Sequence, residues 1–449
     1  MKPIAAAAAL LALLGGCAVT GPSSAPAVPT APARWQSEPA EGPGAEWALL
    51  ADAELNALLA QAEAANRDLA QAALRISQAR TQAGLGALRL TPSASLSAGA
   101  NRALDPPGGL PAQTTRSYGA SVGVGYELDL WGRLAAQRGA DAAQLAAAET
   151  DLRAARLLLR HQVADSYWQL AAARLQGELA QEQLQLNREL LAATQLRVRE
   201  GKLLPIEADR AAATLQQAEV RVADLQADAA LQRLQLALLL DQPPPGPLPQ
   251  ARLPADAAPR WRVGADPAAV LARRPDVQRA RANVDAALAR VQGADAQRYP
   301  TLSFSASFGT GGAQVSNWLA NPVASLAANL VVPMIDWKRL DLQRDAARTE
   351  LELAALALRD TVARSLVEVE SALIEGQRLQ QQLEANETRR REALAAEKVA
   401  AVRLQAGAIA RADYLQAKNA RLEAEQGRLQ LQLRAWINRS QLAKALALG

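Results

Sequence analysis

Apolar and polar side chains alternate with period two in four short stretches of the chain, and with helical period almost everywhere else. In the second stretch Tyr118, Ala120, Val122, Val124, Tyr126 and Leu128 fall on one face, with Ser117, Gly119, Ser121, Gly123, Gly125 and Glu127 on the other. The first sets Ala94, Leu96, Ala98 and Ala100 against Ser93, Ser95, Ser97 and Gly99. The third sets Leu302, Phe304, Ala306 and Phe308 against Ser303, Ser305 and Ser307, and the fourth carries Ala324, Leu326, Ala328, Leu330 and Val332. Each run is ~10 residues, the length of a tilted strand that crosses a bilayer, and the even-numbered positions are expected to face lipid. Breakers at Asp105-Pro106-Pro107-Gly108-Gly109, Gly309-Thr310-Gly311-Gly312 and Asn321-Pro322 predict the loops, so the strands are expected to pair as two hairpins turning near Pro107 and Gly311. A small soluble sandwich is the alternative, and the scarcity of other strands speaks against it. Four strands cannot close a barrel in lipid, because open edges leave backbone groups unpaired; several subunits must pool theirs.

No proline interrupts residues 132–200 or 338–406. About 69 residues of helix make a rod of roughly 100 Å. Heptad spacing appears in Leu145, Leu152 and Leu159, in Leu184, Leu191 and Val198, and in Leu415, Leu422, Leu429 and Trp436, which predicts left-handed coiled-coil packing.

The chain repeats itself. Trp131-Gly132-Arg133-Leu134 stands 206 residues before Trp337-Lys338-Arg339-Leu340, and the same offset relates Arg197 to Arg403, Gly201 to Gly407 and Ala218-Glu219 to Ala424-Glu425. Upstream the offset is 208, relating Pro92 to Pro300 and Asp68 to Asp276. Each copy is expected to hold one helix (residues 52–88 and 266–297), two strands and two long helices. The expected organisation is residues 1–16 as a signal peptide, 17–46 as a lipidated tether, 47–242 as the first repeat, 243–262 as a Pro-rich linker and 263–449 as the second repeat.

Composition narrows the class. The chain has 449 residues, 50% hydrophobic but only 3% aromatic, so it relies on closely packed Ala and Leu helices rather than on an aromatic core. A formal net charge of +4 and no basic run with interleaved aromatics speak against nucleic-acid binding. The one Cys is Cys17 and the one His is His161, which reads as a helix-surface or packing residue. No metal set, nucleophile triad, Walker loop or GxGxxG is legible, so the sequence offers no catalytic residue and calls for no cofactor.

Lys2, an apolar run from Ile4 to Leu14 and then Gly15-Gly16-Cys17 read as a secretory signal ending in a motif that resembles a lipobox. In lipoproteins with that motif the Cys is acylated and becomes the N-terminus. Ala18 fits the outer membrane, since retention in the inner membrane commonly uses Asp there. Residues 18–43, rich in Pro, Ala, Gly and Ser, read as a flexible or extended tether.

Four motifs converge: Leu14-Gly15-Gly16-Cys17, Glu127-Leu128-Asp129-Leu130-Trp131-Gly132-Arg133, Arg273-Arg274-Pro275-Asp276-Val277, and the paired turns at Gly201 and Gly407. With them the chain resembles the outer-membrane factor family of efflux ducts, the TolC/OprM-like (NodT-type) lipoproteins. The resemblance implies an α+β membrane protein, with long helical hairpins forming an α-barrel and four transmembrane strands per subunit completing a 12-stranded β-barrel in a homotrimer. It implies a periplasmic adaptor, an inner-membrane RND transporter and outer-membrane lipid as partners, with the duct itself passive. Gly201, Leu203, Pro205, Gly407 and Ala408 would form the adaptor-contacting hairpin tips. Asp413, with Glu207 and Gln416, would lie at the periplasmic constriction; a solvated helix-start residue is the alternative for Asp413. Gln416 removes a second acidic ring. Ile409 stands where TolC carries a latching arginine, leaving Arg403 or Arg411 to replace it. Metal-ion efflux and type I protein secretion are alternative duties of such a duct, and a periplasmic coiled-coil scaffold lipoprotein is the alternative of another class.

Overall fold

The computed structural model describes residues 31–37, 53–104, 114–243, 251–254, 263–333 and 336–448. In chain order the elements are α1 (Ala53–Ala65), α2 (Arg67–Leu88), β1 (Ser93–Leu104), β2 (Thr114–Leu128), α3 (Arg133–Arg199), α4 (Pro205–Leu239), α5 (Pro267–Arg273), α6 (Pro275–Ala296), β3 (Thr301–Gly312), β4 (Pro322–Val331), α7 (Trp337–Gln405) and α8 (Arg411–Ala445). The long helices fall within a residue or so of their expected limits. Cys17 and the loop around Pro107 lie outside the described residues.

The expected single helices 52–88 and 266–297 are each broken in two, at positions related by the 208-residue offset. In the first copy Asn66 interrupts the helix by accepting the N–H groups of Asp68 (2.9 Å) and Leu69 (3.2 Å) on its side-chain oxygen, so the side chain competes with the helical ladder. In the second copy Arg274 precedes Pro275 and is extended, with φ −65° and ψ 123°, because the proline ring excludes the helical conformation before it. Two different devices make one break.

All four long helices end alike. Lys202 N–H bonds to Arg197 O (2.8 Å) and Gly201 N–H to Val198 O (3.0 Å); Ala408 N–H bonds to Arg403 O (2.9 Å) and Gly407 N–H to Leu404 O (3.0 Å). This 6→1 and 5→2 pair requires a left-handed residue, and Gly201 and Gly407 have φ of 71° and 69°. After α4 and α8 the same bonds close around Asp241 (φ 52°) and Ala447 (φ 53°), again 206 residues apart.

The strands form one antiparallel sheet in the order β1-β2-β3-β4. The two expected hairpins are present, and β2 also pairs with β3, Val122 opposite Phe308 and Tyr126 opposite Phe304. The expected turn near Gly311 is corrected: residues 309–312 belong to β3, and the connection follows them at residues 313–321 with a 3₁₀ turn at Val315–Asn317. These glycines permit close approach rather than a turn. A Cβ on Gly309 would stand 2.9 Å from that of Ser121, and one on Gly311 would stand 3.1 Å from Tyr118 O.

Two compact units each draw on both copies of the repeat. Among the described residues, one comprises those of 74–150 and 278–360, and the other those of 31–73, 151–277 and 361–448. The first contains the sheet. Its helices meet through small side chains: Gly139 faces Ala289, and Gly293 faces Ala136. The second holds the larger apolar core, around Tyr167, Trp168, Leu236, Val270 and Trp436. Leu415, Leu422, Leu429 and Trp436 are all buried, as their heptad spacing requires.

In the second unit part of the expected tether is docked. Trp35 is buried in that core and its Nε1–H donates to Ala265 O (2.9 Å). The Glu370 carboxylate accepts the backbone N–H groups of Gln36 (2.7 Å) and Ser37 (3.2 Å). Residues 31–37 are therefore docked, which of the two expectations for the tether, flexible or extended, favours the extended one there.

Candidate functional site: the sheet face, its elbow and the hairpin turns

Register fixes the two faces of the sheet. Leu96 lies opposite Val122, Ala306 opposite Leu326 and Leu302 opposite Leu330, so even-numbered residues always meet even-numbered ones. Their face is apolar, with Leu96 81% and Leu326 84% exposed. The odd face carries hydroxyls joined across strands, Ser97 to Ser121 at 2.8 Å and Ser307 to Ser325 at 2.7 Å. A contiguous exposed apolar face opposite a polar one is the pattern of a strand between lipid and a lumen.

The Leu-Asp-Leu-Trp-Gly-Arg motif is the elbow from β2 into α3. Asp129 accepts the N–H groups of Leu134 (3.1 Å) and Ala135 (2.8 Å), supplying partners to the free amides of the helix start. Trp131 donates to Pro300 O (2.8 Å) and stacks on Tyr299 at 4.8 Å between centroids. Gly132 turns the chain at φ 73°, and Arg133 pairs with Glu127 at 2.7 Å. The Arg-Arg-Pro-Asp-Val motif builds an ion cluster in the other unit, with Arg274 buried and its carboxylates half-buried. Arg274 binds Asp276 (2.8 Å) and Glu368 (2.7 Å) and donates to Ala445 O (2.7 Å), fastening the end of α8. Burial pushes the Asp276 and Glu368 carboxyl groups up, and the Arg274 guanidinium overrides it and holds both below the usual range.

At the first turn Gly201 ends α3, Leu203 is half-buried, Leu204 is 70% exposed and Pro205 starts α4. Glu207 pairs with Arg210 at 2.9 Å. At the second turn Gly407 and Ala408 are exposed and Ile409 is half-buried. The exposed Asp413 accepts Ala410 N–H at 3.1 Å, an N-terminal helix cap, and Gln416 lies one turn further on, also exposed. Of the two candidate latches, Arg411 joins the hairpins through Glu189 of α3 at 2.8 Å, while Arg403 is exposed in the last turn of α7. The same α3–α8 seam continues in Arg421–Glu182 (3.2 Å), Lys418–Glu182 (3.2 Å) and Gln183–Asn419 (2.9 Å).

Sequence reading did not anticipate the surroundings of His161. Its Nδ1 meets Ser440 Oγ and its Nε2 lies 3.3 Å from Asp165. The residue types of a nucleophile triad thus come together, but Ser440 is completely buried, which closes it to substrate. Burial, followed by Lys444, lowers the His161 pKa to about 4; burial raises that of Asp165 to about 7. Burial thus disfavours the charged form of each. The members of this cluster lie up to 279 residues apart, and no local pattern announces it.

A subunit with an exposed apolar sheet face, two sheet edges unpaired among the described residues and duplicated helical hairpins has the make-up of a trimeric channel protein of the outer membrane. Residues 58–242 and 267–448 match the model of the outer membrane efflux protein family, and the chain belongs to that family. It is 30% identical to the pyoverdine export outer membrane protein OpmQ of Pseudomonas aeruginosa over 451 residues, 96% of this chain and 94% of that protein. It is 24% identical to the Escherichia coli cation efflux system protein CusC over 402 residues, 89% of this chain and 86% of CusC. The solved structure of the outer-membrane channel OprN superposes with a TM-score of 0.85 at 26% identity, covering 96% of this chain and 99% of that one.

The buried carboxyl group predicts a pH signature. With its folded pKa raised from the ordinary value to about 7, Asp165 lowers stability as pH rises through that interval. Asp165→Asn lacks that titration. The variant's thermal midpoint relative to wild type should increase between pH 4 and pH 8; a difference independent of pH would exclude a protonated Asp165.

Proposed function

We propose that the trimer is the passive exit duct of a tripartite efflux system, joined by a periplasmic adaptor to an inner-membrane RND-type transporter, and that it carries small organic solutes. The observation that carries the duct reading is the sheet, with its apolar exposed face and two edges open for pairing with neighbouring subunits. Likeness to OpmQ, named for pyoverdine export, favours an organic cargo. Likeness to CusC, named for cation efflux, supports metal ions as the second reading. Loss of organic-solute export on deletion of the gene, with metal tolerance unchanged, separates the two.

Cys17 is proposed as the lipid attachment site, with the barrel holding the trimer in the membrane independently of it. Cys17→Ser should lose its acyl chains and remain in the membrane fraction; release as a soluble periplasmic protein would sink the barrel reading. The even face is proposed to meet lipid. Val122→Arg should destabilise the inserted trimer by ~2–4 kcal/mol, and Ser121→Arg by less, in unfolding from bilayers. Equal tolerance would reverse the faces.

The exposed turns at Gly201, Leu203, Pro205, Gly407 and Ala408 are proposed to receive the adaptor, with Leu204 and Ile206, 70% and 48% exposed, adding apolar surface beside the first turn. Asp413 is proposed to ring the constriction, with Glu207 and Gln416 beside it and the Arg411–Glu189 pair as the latch. Exposed ion pairs contribute at most ~1 kcal/mol each, so three in a trimer suit a gate that must open. In single-channel recordings Asp413→Ala should shift the reversal potential away from cation selectivity, and Glu189→Gln should raise resting conductance. An unchanged reversal potential removes Asp413 from the constriction, and an unchanged conductance removes the latch.

A further inference from the structure

We propose that Arg102 and Arg116 form a binding site for phosphate groups of outer-leaflet lipid headgroups. The two arginines are directly opposed in the β1–β2 register. Both are exposed, and neither is ion-paired to a carboxylate among the described residues. Facing side chains in adjacent strands have Cβ atoms ~4.5–5.5 Å apart, and like charges so placed repel. No carboxylate among the described residues of the hairpin compensates this repulsion, whereas one phosphate between two guanidinium forks would, through paired charge-assisted hydrogen bonds.

Position along the strand says which phosphate. The pair shares the even face with Leu96, Val122 and Val124, so the site rests on the assignment of that face to lipid. On the same face Tyr126 and Tyr118 flank Val124, Val122 and Ala120. The tyrosines are eight residues apart, about 27 Å along the strand, and roughly 20 Å along the membrane normal at the ~35–45° tilt of barrel strands. The two tyrosines thus bracket the apolar residues over most of the ~25 Å height of a barrel's apolar band, as aromatic girdles do. Arg116 lies two residues beyond Tyr118, about 5 Å further along the normal, where the hydrocarbon gives way to headgroups. The direction follows from connectivity. Ser93 and Leu128 adjoin α2 and α3, and the arginines stand at the opposite, hairpin end of the pair, which faces outward when the helices are periplasmic. Three copies would surround the barrel.

The test is retention of bisphosphorylated lipid A by the full-length, lipidated trimer in detergent, read by native mass spectrometry at rising lipid concentration. Arg102→Gln with Arg116→Gln should weaken retention about tenfold or more, and Arg102→Lys with Arg116→Lys should fall between. Fully dephosphorylated lipid A should bind the wild type no better than the Gln variant, and inorganic phosphate at equal concentration should displace nothing. Undiminished retention by the Gln variant, equal binding of dephosphorylated lipid, or displacement by inorganic phosphate would each overturn the proposal. So would a Gln variant whose trimers dissociate more readily while lipid per intact trimer is unchanged, since the arginines would then serve a neighbouring subunit. A failed face assignment is recognised separately, by tolerance of Val122→Arg in bilayers.

Discussion

Hydrogen bonding at the sheet edges constrains everything else in this molecule. A backbone group left unpaired in hydrocarbon costs several kcal/mol, and β1 and β4 each present a full edge. Pairing of β2 with β3 halves the difficulty, because two separate hairpins would expose four edges per subunit where the single sheet exposes two. The remaining two are satisfied when the sheets of three subunits join. Membrane insertion and trimer formation are therefore one requirement. The apolar exposed face that would endanger a soluble monomer is explained by the same assembly.

Duplication shows which features the fold needs and which residue merely supplies them. The break before the second part of the first helix is made by Asn66 in one copy and by Arg274-Pro275 in the other. The left-handed residue that ends a long helix is Gly201, Asp241, Gly407 or Ala447. What persists is a backbone geometry, and residue identity follows only where chemistry leaves little choice. Asp241 and Ala447 accept the strain of a positive φ that glycine avoids, because the closing hydrogen bonds of the helix end are available only there.

Legibility in the sequence follows range. Strand faces and long helices repeat at short intervals, and Leu415, Leu422, Leu429 and Trp436 become core residues as their spacing says. Gly309 and Gly311 read as turn residues because glycine serves both turns and close approach, and only the opposing strand, Ser121 and the Tyr118 carbonyl, decides between them. Asn66 is an ordinary polar residue within a helical pattern until its side chain takes up the amides ahead of it. The docking of Trp35 against Ala265 and the meeting of His161, Asp165 and Ser440 join distant segments and leave no local trace. The Arg-Arg-Pro-Asp-Val motif was visible as a string, but the partners that give Arg274 its role, Glu368 and Ala445, were not.

The hairpin turns combine these themes, since the two copies agree in backbone and differ in charge. Glu207 and Asp413 are equivalent positions, 206 residues apart, and so are Arg210 and Gln416. In the first copy the carboxylate is paired one turn on, Glu207 to Arg210 at 2.9 Å. In the second an uncharged amide stands at the arginine's position, and among the described residues Asp413 accepts the Ala410 N–H and has no ion pair. A helix start favours a carboxylate at either position, so capping alone does not explain why one partner was removed. An unneutralised charge has a long reach in the poorly screened space of a narrow tunnel, whereas a neutralised one does not. The asymmetry leaves the second hairpin with the acidic field and the first with a local ion pair. That asymmetry favours Asp413 over Glu207 for the proposed constriction.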